Sequence, residues 1–468
     1  MTNPDRDHAI LAAWQETLQC CGQRSAVLAP DGKTLRTFAE IEAEADETAR
    51  CLDGIPPRSV VALQLGNSPR WPAALLALFR RELIPLPLGR HAERPELDLA
   101  MGVCGARALV EIQDQRLQIH PQSGHRLVPS PDADLLKLTS GTTALPRGIR
   151  FRAHQLLADC EHICATMGIE AGDVNFGVIP FSHSYGFSNL ILPLLCRGVA
   201  LVASEDRLPR AILHDLAGTG ATVFPATPLI YQKLVELEDV TTLPKLRLCI
   251  SAGAPLPVSV GERFTARFGL KIHVFYGSSE CGGIGYDSAP EARYEEGYVG
   301  TPLAGVSVEH EEGEGAGSIV VRSAAVGEGY FPGEEPAILG GGRFIPGDLL
   351  RRTERGMVLA GRASDVINIA GRKLNPLEVE AWLSELPGVK QAIVFGVASR
   401  LRGEEPIACV AGEGLDAEAV LRHCQLRLSP WQMPRDIWIV PEIPANERGK
   451  ISRRTLAELY LARRNNFF

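Results

Sequence analysis

This chain is organised around the stretch Leu138-Thr139-Ser140-Gly141-Thr142-Thr143-Ala144-Leu145-Pro146-Arg147-Gly148. Short hydroxyl side chains, backbone N–H groups beside a glycine and one fixed positive charge are the groups that hold a polyphosphate. Pro146 cannot continue a strand or a helix and Gly148 permits a sharp bend, so the stretch is predicted to be a loop. It is not a Walker loop, because no Gly-Lys-Ser/Thr follows at the required spacing. These residues alone also fit an ordinary surface turn.

Size and charge limit what the chain can be. With 468 residues it is too long for one core, so two or three domains are expected. Hydrophobic residues make up 45% and charged residues 22%, as in ordinary globular proteins. The net charge is −8 and no long basic run occurs, which disfavours nucleic acid or an anionic membrane as the main partner. A small anionic ligand remains compatible with this charge.

The cysteines and the apolar runs indicate the compartment. The 11 Cys are scattered, with no Cys-x-x-Cys pair and no zinc spacing, so neither a disulfide framework nor a structural metal is predicted. The polar start is unlike a signal peptide, and no apolar run reaches about 18 residues, so no membrane span is predicted. Together these features predict a cytoplasmic protein.

Helices and strands alternate through the first part of the chain. Helices are predicted over 8–24 and 37–53, the second with a capping box between Thr37 and Glu40. Further along, four strand patterns each run into a loop of small and polar residues: 175–180, 221–225, 246–250 and 272–276. This alternation predicts α/β layers with parallel strands, whose sites lie at the strand ends.

The composition changes near residue 297, where glycines become dense and short β-like runs replace helices. The sequence therefore predicts a large N-terminal domain over 1–362, made of layered α/β subdomains with a β-rich subdomain at about 297–362. Residues 363–468 are predicted to form a small C-terminal α+β domain, within the usual size of a domain.

Five motifs in one order resemble the acyl-adenylate-forming superfamily, which contains AMP-forming acyl- and aryl-CoA ligases, adenylation domains and luciferases. The resemblance covers essentially the whole chain. Within the superfamily, the chain looks like the stand-alone acid–thiol ligases. The motifs are Thr139 to Gly148, Tyr276-Gly277-Ser278-Ser279-Glu280, Gly347-Asp348, Gly361-Arg362-Ala363-Ser364-Asp365 with Gly371 and Pro376, and Pro444 to Ile451.

The resemblance implies a carboxylate attacking the α-phosphorus of ATP, and then a thiol displacing AMP. Such chemistry needs cations and oriented donors on the phosphates. The resemblance implies that the phosphates bind to Thr139, Ser140, Gly141, Thr142, Thr143 and the catalytic Arg147, with Ser279 as a further donor, and that Mg²⁺ binds to the catalytic Glu280. Adenine would contact Ala252, Gly253, Ala254 and Tyr276, and Gly277 and Ser278 would also bind the nucleotide. Asp348 would bind the ribose, and Arg362 would lie near the ribose and phosphate.

The C-terminal domain would complete the site. By resemblance Lys450 is a catalytic residue that bridges the carboxylate and the phosphate, a task suited to a point charge on a flexible stem. In the family this domain is mobile, swinging about a hinge that here falls at Ser364. Gly371 and Lys373 would then face the site for thioester formation.

The acid and its acceptor are less constrained. His183, Tyr185 and Phe187 fall where the family lines its acyl pocket, and no Asp between Phe181 and Asn189 could hold an α-amino group. A fatty or aromatic acid is therefore expected, with CoA as the thiol. The alternative acceptor is a holo-acyl-carrier protein, which would be a separate protein because no carrier sequence follows Lys450. The oligomeric state is left open.

Three positions depart from the family pattern: Ala144 replaces a glycine, Arg147 replaces a lysine, and Ser364 replaces an acidic or basic hinge residue. Arg147 keeps the charge but presents a planar fork. These departures motivate an alternative from another class, a degenerate relative that binds nucleotide or acyl ligand and regulates a partner.

Overall fold

A computed structural model describes residues 8–113, 116–122, 131–139, 146–205, 208–238, 242–310, 315–399, 401–444 and 451–465. The helices are α1 (Ala9–Cys21), α2 (Phe38–Cys51), α3 (Trp71–Arg80), α4 (Arg94–Cys104), α5 (Ala153–Met167), α6 (residues 184–197), α7 (Pro209–Gly218), α8 (Pro228–Val235), α9 (Val258–Phe268), α10 (Pro376–Ser384), α11 (Ala417–Gln425) and α12 (Arg453–Asn465).

Up to residue 344 the strands are β1 (Ser25–Leu28), β2 (Thr34–Thr37), β3 (Val60–Gln64), β4 (Ile84–Pro87), β5 (Ala106–Gln113), β6 (Arg116–Pro121), β7 (Leu135–Thr139), β8 (Arg147–Phe151), β9 (Val174–Gly177), β10 (Ala200–Ala203), β11 (Val223–Ala226), β12 (Leu248–Ser251), β13 (Ile272–Ser278), β14 (Gly282–Tyr286), β15 (Tyr298–Pro302), β16 (Val306–His310), β17 (Gly317–Ser323), β18 (Gly329–Phe331), β19 (Leu339–Gly340) and β20 (Arg343–Phe344).

Beyond residue 344 the strands are β21 (Asp348–Thr353), β22 (Gly356–Arg362), β23 (Ile367–Ile369), β24 (Arg372–Leu374), β25 (Val389–Ser399), β26 (Gly403–Gly412) and β27 (Asp436–Val440). A 3₁₀ turn, Ala363–Asp365, contains Ser364, where the resemblance places the hinge.

The chain divides into two compact units. Unit 1 comprises residues 1–309, 320–346 and 354–357, and unit 2 comprises residues 310–319, 347–353 and 358–468. The predicted fold class, a large α/β domain with a β-rich part and a small α+β domain, is confirmed. The predicted domain boundary between residues 362 and 363 stays a prediction.

Unit 1 contains the parallel strands that the sequence predicts. In its largest sheet, β1, β10, β9, β11, β12 and β13 are successive parallel neighbours, and β14 and β15 continue antiparallel. A second sheet has β3 parallel to both β4 and β5. Since parallel strands end at one edge, the segments after β12 and β13 leave the sheet on the same side.

A small antiparallel sheet joins distant parts of unit 1. Strand β8 lies between β7 and β18, so Tyr330 is opposite Ile149 and Phe331 is opposite Gly148. This register places residues near 330 beside the strand that begins at Arg147.

The predicted capping box of α2 is confirmed. The Thr37 hydroxyl accepts the Glu40 N–H at 3.2 Å, and the Glu40 carboxylate accepts the Thr37 N–H at 2.7 Å.

Unit 2 is built on a mixed sheet. Its strands β24, β23, β26 and β25 are antiparallel neighbours, and β27 runs parallel to β26. Helices α10, α11 and α12 contribute buried side chains to its two apolar clusters. Among the described residues of both units, no helix is long and apolar enough to cross a lipid bilayer.

Candidate active site

Arg147 begins a strand. Thr139 pairs with Arg147 and Leu138 with Gly148 across β7 and β8, and the Thr139 hydroxyl donates to the Arg147 carbonyl at 3.4 Å. The predicted bend at Gly148 is wrong: this glycine lies within β8, where a Cβ would come within 3.3 Å of the Phe331 carbonyl oxygen. Close packing of β18 therefore explains this glycine. The predicted Ser140, Gly141, Thr142, Thr143 and Ala144 lie outside the described residues.

The Arg147 side chain is held over an aromatic ring. Its guanidinium carbon lies 3.9 Å from the Tyr330 ring centroid, and Nη1 donates to Glu335 at 2.7 Å. Within the described ranges, no acceptor meets the buried Nε and Nη2 of Arg147. Buried unpaired N–H groups on a cation are costly, so this guanidinium offers two donors to an anion.

The Tyr330 hydroxyl connects this cation to Glu280, donating to its Oε1 at 3.2 Å. Burial, together with the adjacent Glu280 carboxylate, raises the pKa of Tyr330 above its ordinary value, so the phenol stays protonated and donates. Arg147, Tyr330 and Glu280 thus form one continuous group, which we call the 147–330–280 cluster.

Glu280 sits in the turn between β13 and β14. The Ser278 hydroxyl donates to its carboxylate, and its own carbonyl accepts the Gly327 N–H at 2.9 Å. The hydroxyls of Ser279 and Ser184 lie 2.9 Å apart. The motif that ends in Glu280 is therefore connected directly to the segment in which the sequence predicts the acid pocket.

The predicted adenine residues lie at the sheet edge expected for them. Ala252, Gly253 and Ala254 follow β12, while Tyr276 and Gly277 lie on its neighbour β13. Gly253 has φ +91°, a left-handed conformation that glycine adopts without strain. Their role in binding adenine stays a prediction.

The predicted acid-pocket residues start helix α6, whose middle, Phe187–Ile191, is a π-turn. The Tyr185 hydroxyl donates to the Ile250 carbonyl at 3.1 Å, and the buried Phe187 ring packs edge-on to Trp71 at 5.9 Å. His183 is half-buried, and its Nδ1 accepts the Tyr185 N–H at 3.3 Å. Their pocket role also stays a prediction.

Unit 2 brings the predicted ribose residues together. Asp348 is buried at the start of β21, and its Oδ1 accepts from Arg362 Nε at 2.7 Å. Gly371 has φ +86° and Lys373 is exposed on β24. Lys450 lies outside the described residues.

The hinge position is tied to a group that sequence reasoning missed. The Ser364 hydroxyl donates to Asp365 at 3.2 Å, and Asp365 pairs with Arg453 at 2.8 Å. Arg453 also donates to both oxygens of the buried Glu380, at 2.8 and 2.9 Å. The residue after the hinge is therefore fixed to α10 and α12.

In unit 1 the sequence missed Tyr330, Glu335 and the buried Lys137. For Lys137 one signal was available, since a lysine in the strand Leu135–Thr139 interrupts an apolar run. Tyr330 and Glu335 carried no local signal, because Glu335 is 188 residues from Arg147 and meets it only through the fold.

Known proteins resemble this chain over nearly its full length. A probable CoA ligase, CCL9, of Humulus lupulus is 27% identical, and the match covers 94% of each chain. The anthranilate–CoA ligase of Pseudomonas aeruginosa is 29% identical over 81% of this chain and 75% of its own. The fold is similar to the crystal structure of ATP-bound MatB from Rhodopseudomonas palustris, with a TM-score of 0.86 and 23% identity over 97% of this chain and 98% of that one.

Two family models account for most of the sequence. The model described as AMP-binding enzyme matches residues 14–331, and the model of the AMP-binding enzyme C-terminal domain matches residues 378–450. The first match contains the complete 147–330–280 cluster and more than half of the chain. The ordered motifs, the α/β fold and these two matches lead to one conclusion: the chain belongs to the AMP-binding enzyme family, within the acyl-adenylate-forming superfamily.

Proposed function

We propose that this protein is an AMP-forming acid–thiol ligase that activates a fatty or aromatic carboxylic acid with ATP and transfers the acyl group to CoA. The 147–330–280 cluster carries the proposal. It presents a cation with two buried donors that no described residue pairs and, on the other side of Tyr330, a carboxylate. A fixed positive charge, and a carboxylate that can hold a metal ion, both help to bring an anionic acid to a polyphosphate.

In the first step, a carboxylate oxygen of the acid bonds to the α-phosphorus, whose bond to the bridging oxygen breaks and releases pyrophosphate. Arg147 is suited to hold negative charge on the leaving phosphates, because its planar fork is already oriented by Tyr330 and Glu335. In the second step, the thiol sulfur bonds to the acyl carbon, AMP leaves with the bonding electron pair, and the thiol proton is released.

The residues fit a magnesium ion that is shared with the substrate. Glu280 provides a hard carboxylate oxygen, and among the described residues no cluster of three His, Cys, Asp or Glu side chains could hold a metal alone. One carboxylate plus substrate phosphates is the arrangement Mg²⁺ prefers. When bound, Mg²⁺ would supply charge neutralisation at the phosphate oxygens.

Two relatives support CoA as the acceptor, since they are named as a probable CoA ligase and an anthranilate–CoA ligase. The anthranilate–CoA ligase supports an aromatic acid, and the buried ring of Phe187 at the predicted pocket fits an apolar acyl group. Loading of a separate holo-acyl-carrier protein is the alternative acceptor reaction. Comparing thioester yield with CoA and with holo-carrier protein separates the two.

Exchange of labelled pyrophosphate into ATP with a panel of fatty and aromatic acids tests the proposed adenylation. We expect exchange that depends on one class of acid and requires Mg²⁺. Loss of exchange by about 10²-fold or more in Lys450→Ala, as for removal of a charge-stabilising group, would exclude a purely regulatory relative. ATP binding without exchange for any acid would contradict the ligase function.

A further inference from the structure

Three polar side chains form a buried line through the core of unit 1. Lys137 lies on β7, two residues before Thr139, and its Nζ lies 3.5 Å from the Ser188 hydroxyl on α6. That hydroxyl donates to Oδ2 of Asp159, on α5, at 2.6 Å. Their residues are 5%, 3% and 3% exposed. We call Lys137, Ser188 and Asp159 the buried relay.

The other oxygen of Asp159 holds the backbone that follows Glu280. Oδ1 accepts the Gly283 N–H at 3.0 Å. Gly282 has φ +70° and lies so close that a Cβ there would be 2.0 Å from Oδ1. The Asp159 carboxylate therefore contacts the turn that carries Glu280. The contacts are at Gly282 and Gly283, two and three residues after the glutamate.

The relay connects three segments of the candidate site. Lys137 precedes the predicted phosphate loop, Ser188 follows Phe187 in the predicted acid pocket, and Asp159 contacts the Glu280 turn. The Lys137 ammonium also lies 4.7 Å from the Phe151 ring centroid and 5.3 Å from that of Phe187. The relay therefore joins the elements that carry these three segments.

Burying these three polar side chains costs free energy, because they lose their contact with water. Burial lowers the pKa of Lys137, opposed by the charges of Asp159, Cys281 and Glu280. Apolar residues of similar volume commonly replace buried charged groups without loss of stability. Stability alone therefore gives little reason to retain an ammonium and a carboxylate here.

We infer that Asp159, oriented by Ser188 and Lys137, is a positioning residue that fixes the Glu280 turn for binding of Mg²⁺ and ATP. The inference rests on the proposed function, in which Glu280 is the metal-binding carboxylate. Asp159 acts through the backbone of Gly282 and Gly283 and does not itself reach the ligand.

Asp159→Asn and Ser188→Ala test the relay in the full-length protein. Asp173→Asn is the control, because Asp173 is also buried and accepts a backbone N–H and a hydroxyl, from Glu170 and Thr222, in addition to its ion pair with Arg247. It precedes β9, at the opposite end of the parallel strands from Glu280. Calorimetry measures Mg·ATP binding without any acid, pyrophosphate exchange gives the Mg²⁺ dependence, and thermal unfolding monitors the fold.

We expect Asp159→Asn to weaken Mg·ATP binding and raise the half-maximal Mg²⁺ concentration by about tenfold, as for other partners of metal ligands. Ser188→Ala should shift both in the same direction by a smaller factor. The KM for the acid should stay within about twofold of wild type, since metal-partner effects act on the metal. Asp173→Asn should lower Tm and leave Mg·ATP binding unchanged.

Wild-type Mg·ATP affinity in a folded Asp159→Asn protein would overturn the inference. If that variant does not fold, wild-type affinity in Ser188→Ala overturns it instead. If Asp159→Asn and Asp173→Asn change Mg·ATP affinity to the same extent, the relay has only a structural role, and the inference is overturned. Failure of the ligase proposal looks different, because the wild-type protein itself would then show no exchange with any acid.

Discussion

At the scale of single residues, Tyr330 combines two functions in one side chain. Its ring supports the Arg147 guanidinium, while its hydroxyl donates to Glu280. Replacing lysine by arginine in the family's phosphate loop is therefore more than an exchange of equal charges, because only the planar guanidinium can stack on the ring. The sequence predicted Arg147 and Glu280 but could not predict their partner.

The two functions of Tyr330 can be separated by two substitutions. Tyr330→Phe keeps the ring and removes the hydroxyl, so it should raise the half-maximal Mg²⁺ concentration in pyrophosphate exchange by about fivefold, the equivalent of one hydrogen bond of ~1 kcal/mol. Tyr330→Leu should add a rise in the KM for ATP of about threefold from the lost cation–π contact. Mg²⁺ dependence unchanged in Tyr330→Phe would contradict the role given to the hydroxyl.

At the scale of elements, local chemistry predicted some boundaries and missed others. The capping box predicted the start of α2 correctly, because its two hydrogen bonds lie within four residues. The sequence predicts a loop after the strand pattern 175–180, but residues 184–197 are helical. Gly186 packs against Pro180, where a Cβ would lie 2.1 Å from the carbonyl oxygen, and Pro193 follows the π-turn, in the first turn of the segment Leu192–Arg197. The contact of Gly186 with Pro180 is tertiary packing, which a sequence does not display.

The turn that begins β14 depends on a glycine for two separable reasons. Gly282→Ala should lose about 1–2 kcal/mol of unfolding free energy from its left-handed backbone, and more from the clash with Asp159. Gly168→Ala is the control: its φ is +61°, and no atom lies within 4 Å of the added Cβ. Denaturant unfolding and Mg·ATP calorimetry on both variants measure the two effects.

We expect both alanine variants to lose stability and only Gly282→Ala to lose Mg·ATP affinity. If the two variants lose equal stability and bind Mg·ATP equally well, the contact between Gly282 and Asp159 does not contribute to Mg·ATP binding.

At the scale of the whole molecule, the α/β class followed from alternating patterns of helix and strand. Strand order did not, because β1 pairs with β10 and β8 with β18 across long stretches of chain. The candidate site was predictable where a motif is contiguous, as in Tyr276 to Glu280. It was not predictable where Asp159, Lys137 and Ser188 meet from three separate elements.

Unit 1 should lose stability in acid through His273. Burial lowers the pKa of His273, and its Nδ1 lies 2.7 Å from the Asp287 carbonyl oxygen. Below pH ~6.5 the unfolded chain binds a proton that the folded imidazole resists, so the free energy of unfolding falls as the pH falls. His273→Gln should reduce this loss between pH 7.5 and 5.5, a range spanning the ordinary pKa of about 6.5.

Thermal unfolding of wild type and His273→Gln across that range measures the effect. His214→Gln is the control, because the His214 side chain is 87% exposed and meets water in both states. A pH profile of His273→Gln parallel to that of the wild type would contradict the prediction.

The π-turn in α6 makes the length of that helix as important as its composition. A π-turn contains an extra residue, and each residue of an α-helix turns the chain by about 100°. Deleting one residue from Phe187–Ile191 would therefore rotate Tyr185 and His183 by roughly a quarter turn relative to Leu192 and the rest of the helix. A natural or engineered insertion or deletion in this π-turn would therefore change the direction of several side chains at once. A single substitution cannot do this.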